Sequence, residues 1–283
     1  MKISDIFLNS SLIEKSALAS IGRRFTSDCN AIGGATLEEQ IMKNFNNSNE
    51  DYRLLNLTTI NLAINSNKFN FDFGTFASTI EELEKKSKLD EGCLSAADFF
   101  LFEVSGNNLS LVDAASLKSS IPSDPTKKSQ SPCFIHNDAS GQIFDWISTS
   151  QKGKNIGNVI MMLLRDRRMQ VYHFNGDLDK IIDNHSILST NKHGDLNLQI
   201  SSTNIPRRLA ESQCMLVTNR NAKTGNKPTS FRRGIKITSS KSKSADYFDF
   251  FEAYDALGVM TRLCDFEVDM TSVKKSSLSA FGL

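Results

Sequence analysis

The sequence predicts a mixed α/β fold in which a central mixed β-sheet is flanked by helices. Three observations carry this prediction. The N-terminal third has apolar residues at helical spacing, residues 99–104 and 109–117 are typical of two strands joined by a Gly-Asn turn, and Val159 to Leu164 form a continuous apolar run. Such a run is typical of a central strand that is covered on both faces. Helices followed by strands indicate a single mixed domain over residues 1–283.

The N-terminal part, residues 1–92, is predicted to be mostly helical. Thr36 is of a residue type that caps helices, and the acids Glu38 and Glu39 suit the positive start of the helix that would follow it. Helical spacing of apolar residues supports the other segments. The predicted helices in this part are Ser10–Phe25, Leu37–Phe45, Leu54–Ile64 and Thr75–Leu89.

The sequence pattern changes from helical to strand-like at Asp98. Short strands bounded by Gly, Asn, Asp and Pro are expected from there onward, with short helices over Ile143–Ile147 and Asp177–Ile182. The predicted strands are Phe99–Val104, Leu109–Leu117, Val159–Leu164, Met169–Phe174, Leu196–Ser201, Cys214–Thr218, Gly234–Thr238 and Asp265–Met270.

Composition narrows the class of protein. No apolar stretch approaches the roughly 20 residues that a membrane helix needs, and the start lacks the layout of a secretory signal. The five cysteines are scattered without the spacing of a zinc site or a disulfide framework, and the four histidines form no ligand pattern. These features predict a cytoplasmic protein that is not embedded in a membrane.

The formal net charge is only +1, but the charge is unevenly placed. Ten basic residues and one acid, Glu211, lie between Ile205 and Lys243, which gives this stretch about +9 by subtraction. The pattern indicates a surface that faces a polyanion, and a solvated basic loop is the alternative. The ten candidates for DNA binding are Arg207, Arg208, Arg220, Lys223, Lys227, Arg232, Arg233, Lys236, Lys241 and Lys243.

The hairpin places charged residues close to a core. Asp98 opens its first strand, and its second strand ends in Ser116 and Lys118, which share one face because side chains alternate along a strand. If the register brings these groups together, a carboxylate could hold Mg²⁺ and a lysine could position a water molecule. The alternative to a metal site is a hairpin whose ends are polar because they are exposed to solvent.

The stretch "ADFFLFEVSGNNLSLVDAASLKSS", with "TLEEQI" upstream, resembles the active-site hairpin of the PD-(D/E)XK nucleases, in particular the type II restriction endonucleases. The resemblance implies a restriction-endonuclease-like core over residues 93–200 and a DNA-recognition part over residues 201–283. It also implies Mg²⁺-dependent, sequence-specific cleavage of double-stranded DNA by a homodimer.

The resemblance assigns roles to individual residues. Asp98 corresponds to the first acid, a metal ligand, and Ser116-Leu117-Lys118 corresponds to the serine variant of the second half-motif. Glu38 or Glu39 would complete the metal site, although both could simply complement a helix dipole. Asp113 is a rival ligand if its strand carries a bulge.

Other classes of function fit parts of the sequence less well. The sequence contains no phosphate-binding P-loop, no GxSxG and no GxGxxG. A non-catalytic DNA-binding or accessory protein would explain the basic stretch but not Asp98 and Lys118. A structural or interaction protein is the third possibility.

Overall fold

The structure is a computed structural model. It describes residues 1–24, 30–73, 98–120, 158–165, 167–174, 184–190, 196–200, 213–224, 227–237 and 247–269. Among these residues the helices are α1 Ile3–Ile6, α2 Ser10–Arg24, α3 Asn30–Ser48, α4 Leu57–Asn65 and α5 Tyr247–Ala256. The strands are β1 Tyr52–Leu55, β2 Asn70–Asp72, β3 Phe99–Ser105, β4 Asn108–Ser120, β5 Val159–Arg165, β6 Arg168–Phe174, β7 His185–Thr190, β8 Leu196–Ile200, β9 Gln213–Thr224, β10 Lys227–Ile237 and β11 Thr261–Glu267.

The larger sheet is mixed and has seven strands. Its order is β1-β3-β4-β5-β6-β11, and β2 pairs in parallel with the start of β4. β4 and β5 are parallel, whereas the other neighbours along this order are antiparallel. The predicted mixed sheet flanked by helices is therefore confirmed.

β4 changes partner along its length. Up to Ala115 it pairs with β3, and from Ser116 onward it pairs with β5 on its other side. The β3–β4 turn needs Gly106, whose φ of 59° lies in the region that favours glycine. A register shift leaves Val112 as an extra residue in β4, so the strand carries the bulge on which the role of Asp113 depended.

The main hydrophobic core lies between this sheet and the N-terminal helices. Ile13 of α2 and Ile41 of α3 pack in one buried cluster with Leu101, Leu117 and Met162 from three central strands. All residues from Val159 to Leu164 are buried, as their unbroken apolar run predicts for a central strand.

The opposite face of the sheet is covered in part by α5. Phe251 stacks on Tyr172 of β6 with ring centroids 5.4 Å apart. In the same helix, the buried Tyr254 hydroxyl lies 3.1 Å from Nε2 of His185 in β7. β7 belongs to a second sheet of four strands, ordered β10-β9-β8-β7 and antiparallel throughout. α5 therefore contacts both sheets.

Several predicted boundaries were wrong. α3 begins at Asn30, so Thr36 lies within the helix and does not cap it. Leu54 and Leu55 belong to β1, and α4 starts after Asn56, whose side chain accepts a hydrogen bond from the backbone N–H of Thr59. β9 and β10 are much longer than predicted, β11 begins earlier, and α5 and β7 were missed. The predicted helices at 75–89, 143–147 and 177–182 lie outside the described residues.

Candidate active site and nucleic-acid interface

Asp98 and Ser116 lie together at the end of the β3–β4 hairpin. The Asp98 backbone N–H donates to the carbonyl of Ala115. Its carboxylate oxygen Oδ2 accepts hydrogen bonds from the Ser116 hydroxyl at 2.9 Å and from the Leu117 backbone N–H at 2.6 Å. Ser116 is fully buried and Asp98 is half-buried. The two halves of the sequence motif are thus adjacent, and they are joined by a direct contact.

Asp113 belongs to a different polar cluster. Its Oδ2 accepts from the backbone N–H of Ile3 at 2.8 Å, and its Oδ1 accepts from the backbone N–H of Ala114 at 2.9 Å and from Nδ2 of Asn158 at 3.1 Å. Oδ1 of Asn158 lies 2.6 Å from Nε2 of His173. The Asp113–Asn158–His173 cluster therefore connects β4, β6 and α1.

Burial sets the ionisation of this cluster. Loss of solvent raises the pKa of Asp113 above its ordinary value of 3.8, although three hydrogen-bond donors and nearby Lys2 oppose that rise. Burial, followed by the charge of Lys2, lowers the pKa of His173 below 6.5, and Asp5 acts in the other direction. Both shifts favour uncharged side chains beneath α1.

Asp98 and Asp113 lie on opposite faces of the sheet. Side chains alternate along a strand, so Asp113 shares a face with Ala115, which packs in the helical core. The Ser116 side chain, and the Asp98 carboxylate bonded to it, lie on the other face. One ion cannot contact carboxylates that are separated by a sheet, because Mg²⁺–oxygen bonds are about 2.1 Å long.

The described donor set does not fit a magnesium site. Mg²⁺ needs several oxygen ligands in octahedral geometry. Within the part of the chain that the structure describes, no group of three or more His, Cys, Asp or Glu side chains could hold a metal ion. At Asp98, moreover, Oδ2 already accepts two hydrogen bonds.

The remaining motif residues are placed as follows. Glu38 is half-buried and Glu39 is exposed, and both lie within α3 instead of at its start, so the expected complement to a helix dipole is wrong. Lys118 lies in β4 opposite Met161 of β5, and its side chain is outside the described part of the structure.

Part of the basic stretch forms a β-hairpin. β9 and β10 pair along nearly their whole lengths, and the paired residues Thr224 and Lys227 are separated in sequence by Gly225 and Asn226, types favoured in two-residue turns. β8 pairs with β9 only over Gln213–Leu216. Among the described strands, the segment 217–234 therefore has no third neighbour, and we call it the distal hairpin.

The distal hairpin is strongly basic. It contains no acid and five of the ten predicted DNA-binding residues. These five are Arg220, Lys223, Lys227, Arg232 and Arg233. Lys236 lies nearer the sheet, opposite Met215. Arg207, Arg208, Lys241 and Lys243 lie outside the described residues.

Sequence reasoning missed Asn158 and His173. They lie in different segments from Asp113, and their only sequence signal was polarity at the ends of apolar strands. Only the pairing of β4 with β5 and of β5 with β6 brings them together.

Comparison with known proteins identifies no relative. No protein-family model matches the chain, and no curated protein or solved structure shows significant similarity to it. In the described residues, no helix is long and apolar enough to cross a membrane.

Proposed function

We propose that this protein binds double-stranded DNA through the distal hairpin. The observation that carries the proposal is a set of five cations, without an acid, on a two-stranded ribbon that extends beyond the other described strands of its sheet. The major groove of B-form DNA is wide enough to admit a two-stranded β-ribbon. Cations along such a ribbon would contact the phosphates that border the groove.

Binding to a polyanion would also offset the charge repulsion within this hairpin. A two-stranded hairpin is at best marginally stable in water, and repulsion among its own cations weakens it further. Contact with a polyanion would remove that repulsion. Only one aromatic residue, Phe231, lies in the distal hairpin, so stacking on the bases of a single strand is the less favoured mode.

Binding to a fluorescent duplex and to a single strand of the same length tests the proposal. The double variant Lys223→Gln/Lys227→Gln should weaken duplex binding at least tenfold. It should also lower the slope of log K against log salt concentration by about 1.8, because two phosphate contacts are lost. Lys15→Gln/Lys43→Gln is the matched control, because it removes two exposed cations from α2 and α3. Equal losses in both variants would point to net charge alone and refute the assignment.

Cleavage of the bound DNA is a second candidate. It is favoured by the direct contact of Asp98 with Ser116, since the resemblance to PD-(D/E)XK nucleases requires the two half-motifs to be adjacent. Against it stands the poor fit of the described donors to Mg²⁺. In this version of the proposal the protein is a cytoplasmic homodimer of restriction-endonuclease type, because two copies related by a two-fold axis suit a palindromic site.

Incubation of the protein with unmethylated plasmid and Mg²⁺ tests cleavage. Discrete fragments that disappear in Lys118→Ala, with duplex binding retained, would support the nuclease. Intact plasmid alongside tight duplex binding would leave the non-catalytic DNA-binding protein as the function. Sedimentation velocity with and without duplex would show whether two copies assemble.

A further inference from the structure

The register of the distal hairpin places two of its arginines in direct opposition. Arg220 of β9 pairs with Arg232 of β10. Directly opposed residues of an antiparallel pair have Cβ atoms about 4.5–5.5 Å apart, and like charges at such positions destabilise the pair. The two lysines of the hairpin do not face another cation: Lys223 lies opposite Pro228, and Lys227 lies opposite Thr224.

The ladder is irregular on both sides of this pair. One register shift lies between Pro228 and Ser230, and another lies between Arg232 and Gly234. Bulges bend a ribbon, increase its twist and occur often beside functional sites. A ribbon with two such shifts is suited to following a helical groove.

We infer that Arg220 and Arg232 together form one binding position for a backbone phosphate of duplex DNA. The inference rests on the proposed function and deepens it. A phosphate between two guanidinium groups accepts hydrogen bonds from both and cancels the repulsion between them. The opposed register of these two residues favours one shared anion over two separate contacts with base edges.

Salt dependence distinguishes one shared phosphate from two independent ones. Each neutralised phosphate contributes about 0.9 to the slope of log K against log salt. Arg220→Gln/Arg232→Gln should therefore lower the slope by about 0.9, with either single variant causing most of that loss on every duplex sequence. Arg220→Gln/Lys223→Gln is the matched control and should lower the slope by about 1.8, because its two residues contact different phosphates.

Hydrogen exchange of the DNA-free protein provides a second readout. Replacement of either arginine by glutamine should raise the protection of the hairpin amides about two- to fivefold, the size expected when one opposed like-charge pair is relieved. In the wild type, inorganic phosphate should slow the hydrogen exchange of the backbone amides of the paired residues Asn221 and Phe231 more than sodium chloride of equal ionic strength does. The glutamine variants should lose that difference.

The outcomes separate the two proposals. Suppose the wild type binds duplex, but the losses of salt slope in Arg220→Gln and Arg232→Gln add up in the double variant, or occur with one duplex sequence only. The shared phosphate site is then refuted and DNA binding stands. If the wild type binds no duplex, DNA binding is refuted. In that case protection by phosphate that depends on both arginines would retain the anion site, and its absence would refute that as well.

Discussion

Replacing Asp98 by alanine should destabilise the protein whether or not it cleaves DNA. The carboxylate accepts hydrogen bonds from the Ser116 hydroxyl and the Leu117 N–H, and Ser116 is fully buried. Hydrogen bonds to charged groups contribute about 1.5–3 kcal/mol each, and a buried donor that loses its acceptor pays its desolvation cost. Because Asp98 itself is half-buried, water would replace part of what is lost. We therefore expect Asp98→Ala to lower the free energy of unfolding by about 3 kcal/mol.

Urea denaturation, followed by far-ultraviolet circular dichroism, measures this change as a shift of the urea midpoint with an unchanged m-value. Asp98→Asn keeps one oxygen acceptor and should cost about half as much. The loss of stability in the double variant Asp98→Ala/Ser116→Ala should be smaller than the sum of the losses in the two single variants. The double variant also removes the Ser116 hydroxyl, one of the two donors that Asp98→Ala leaves without an acceptor. Glu103→Ala is the control, because this exposed acid lies on the same hairpin and its loss should cost less than about 0.5 kcal/mol.

A loss for Asp98→Ala no larger than that of the control would refute the structural role. The carboxylate would then contribute nothing to folding, and a purely functional role would be the better explanation.

Three further predictions concern buried and paired polar groups. Burial raises the pKa of Asp113, so the stability that its protonated form contributes is full below pH 3.8 and is lost as pH rises through the pKa of the folded state. The cost of Asp113→Asn in urea denaturation should therefore shrink as the pH is raised above 3.8, and a constant cost would contradict this. Tyr254→Phe should cost about 1–2 kcal/mol by removing the hydroxyl beside His185, and hydrogen exchange should increase in β7; unchanged exchange would exclude this contact as the link between the sheets. Asp265→Asn should cost no more than about 1 kcal/mol, because its ion-pair partner Arg168 is exposed and an amide oxygen can still accept the hydrogen bond from Gln170; high salt should reduce the difference from the wild type.

The sequence predicted those elements whose own pattern determines them. β3, β5 and β6 were located to within two residues because their apolar runs are bounded by turn-forming or charged residues. β9 and β10 were cut short because the strand signal is weak where Arg, Lys and Asn replace apolar residues. The start of α3 was missed because Gly33 and Gly34 are poor helix formers, and packing against α2 outweighs that preference.

The candidate site was predictable only up to the register of its strands. Alternation placed Ser116 on one face of its strand, but whether Asp98 meets it depends on pairing that no local pattern fixes. The bulge at Val112 illustrates the difficulty, since one extra residue changes which side chains face each other. The cluster around Asn158 depends on contacts between residues far apart in sequence, and single-sequence patterns carry no information about these.

The change of partner along β4 has a consequence for the order of folding. Its first half closes a local hairpin with β3 around a two-residue turn, an event of roughly 1–10 μs in isolated hairpins. Its second half must wait for β5, which pairs in parallel and is distant in the chain, and such contacts form slowly. Destabilising substitutions near Leu109 should therefore slow folding, whereas those in β5 should mainly accelerate unfolding. One continuous strand would then contain both early and late regions of the folding transition state, with φ-values that fall from its first half to its second.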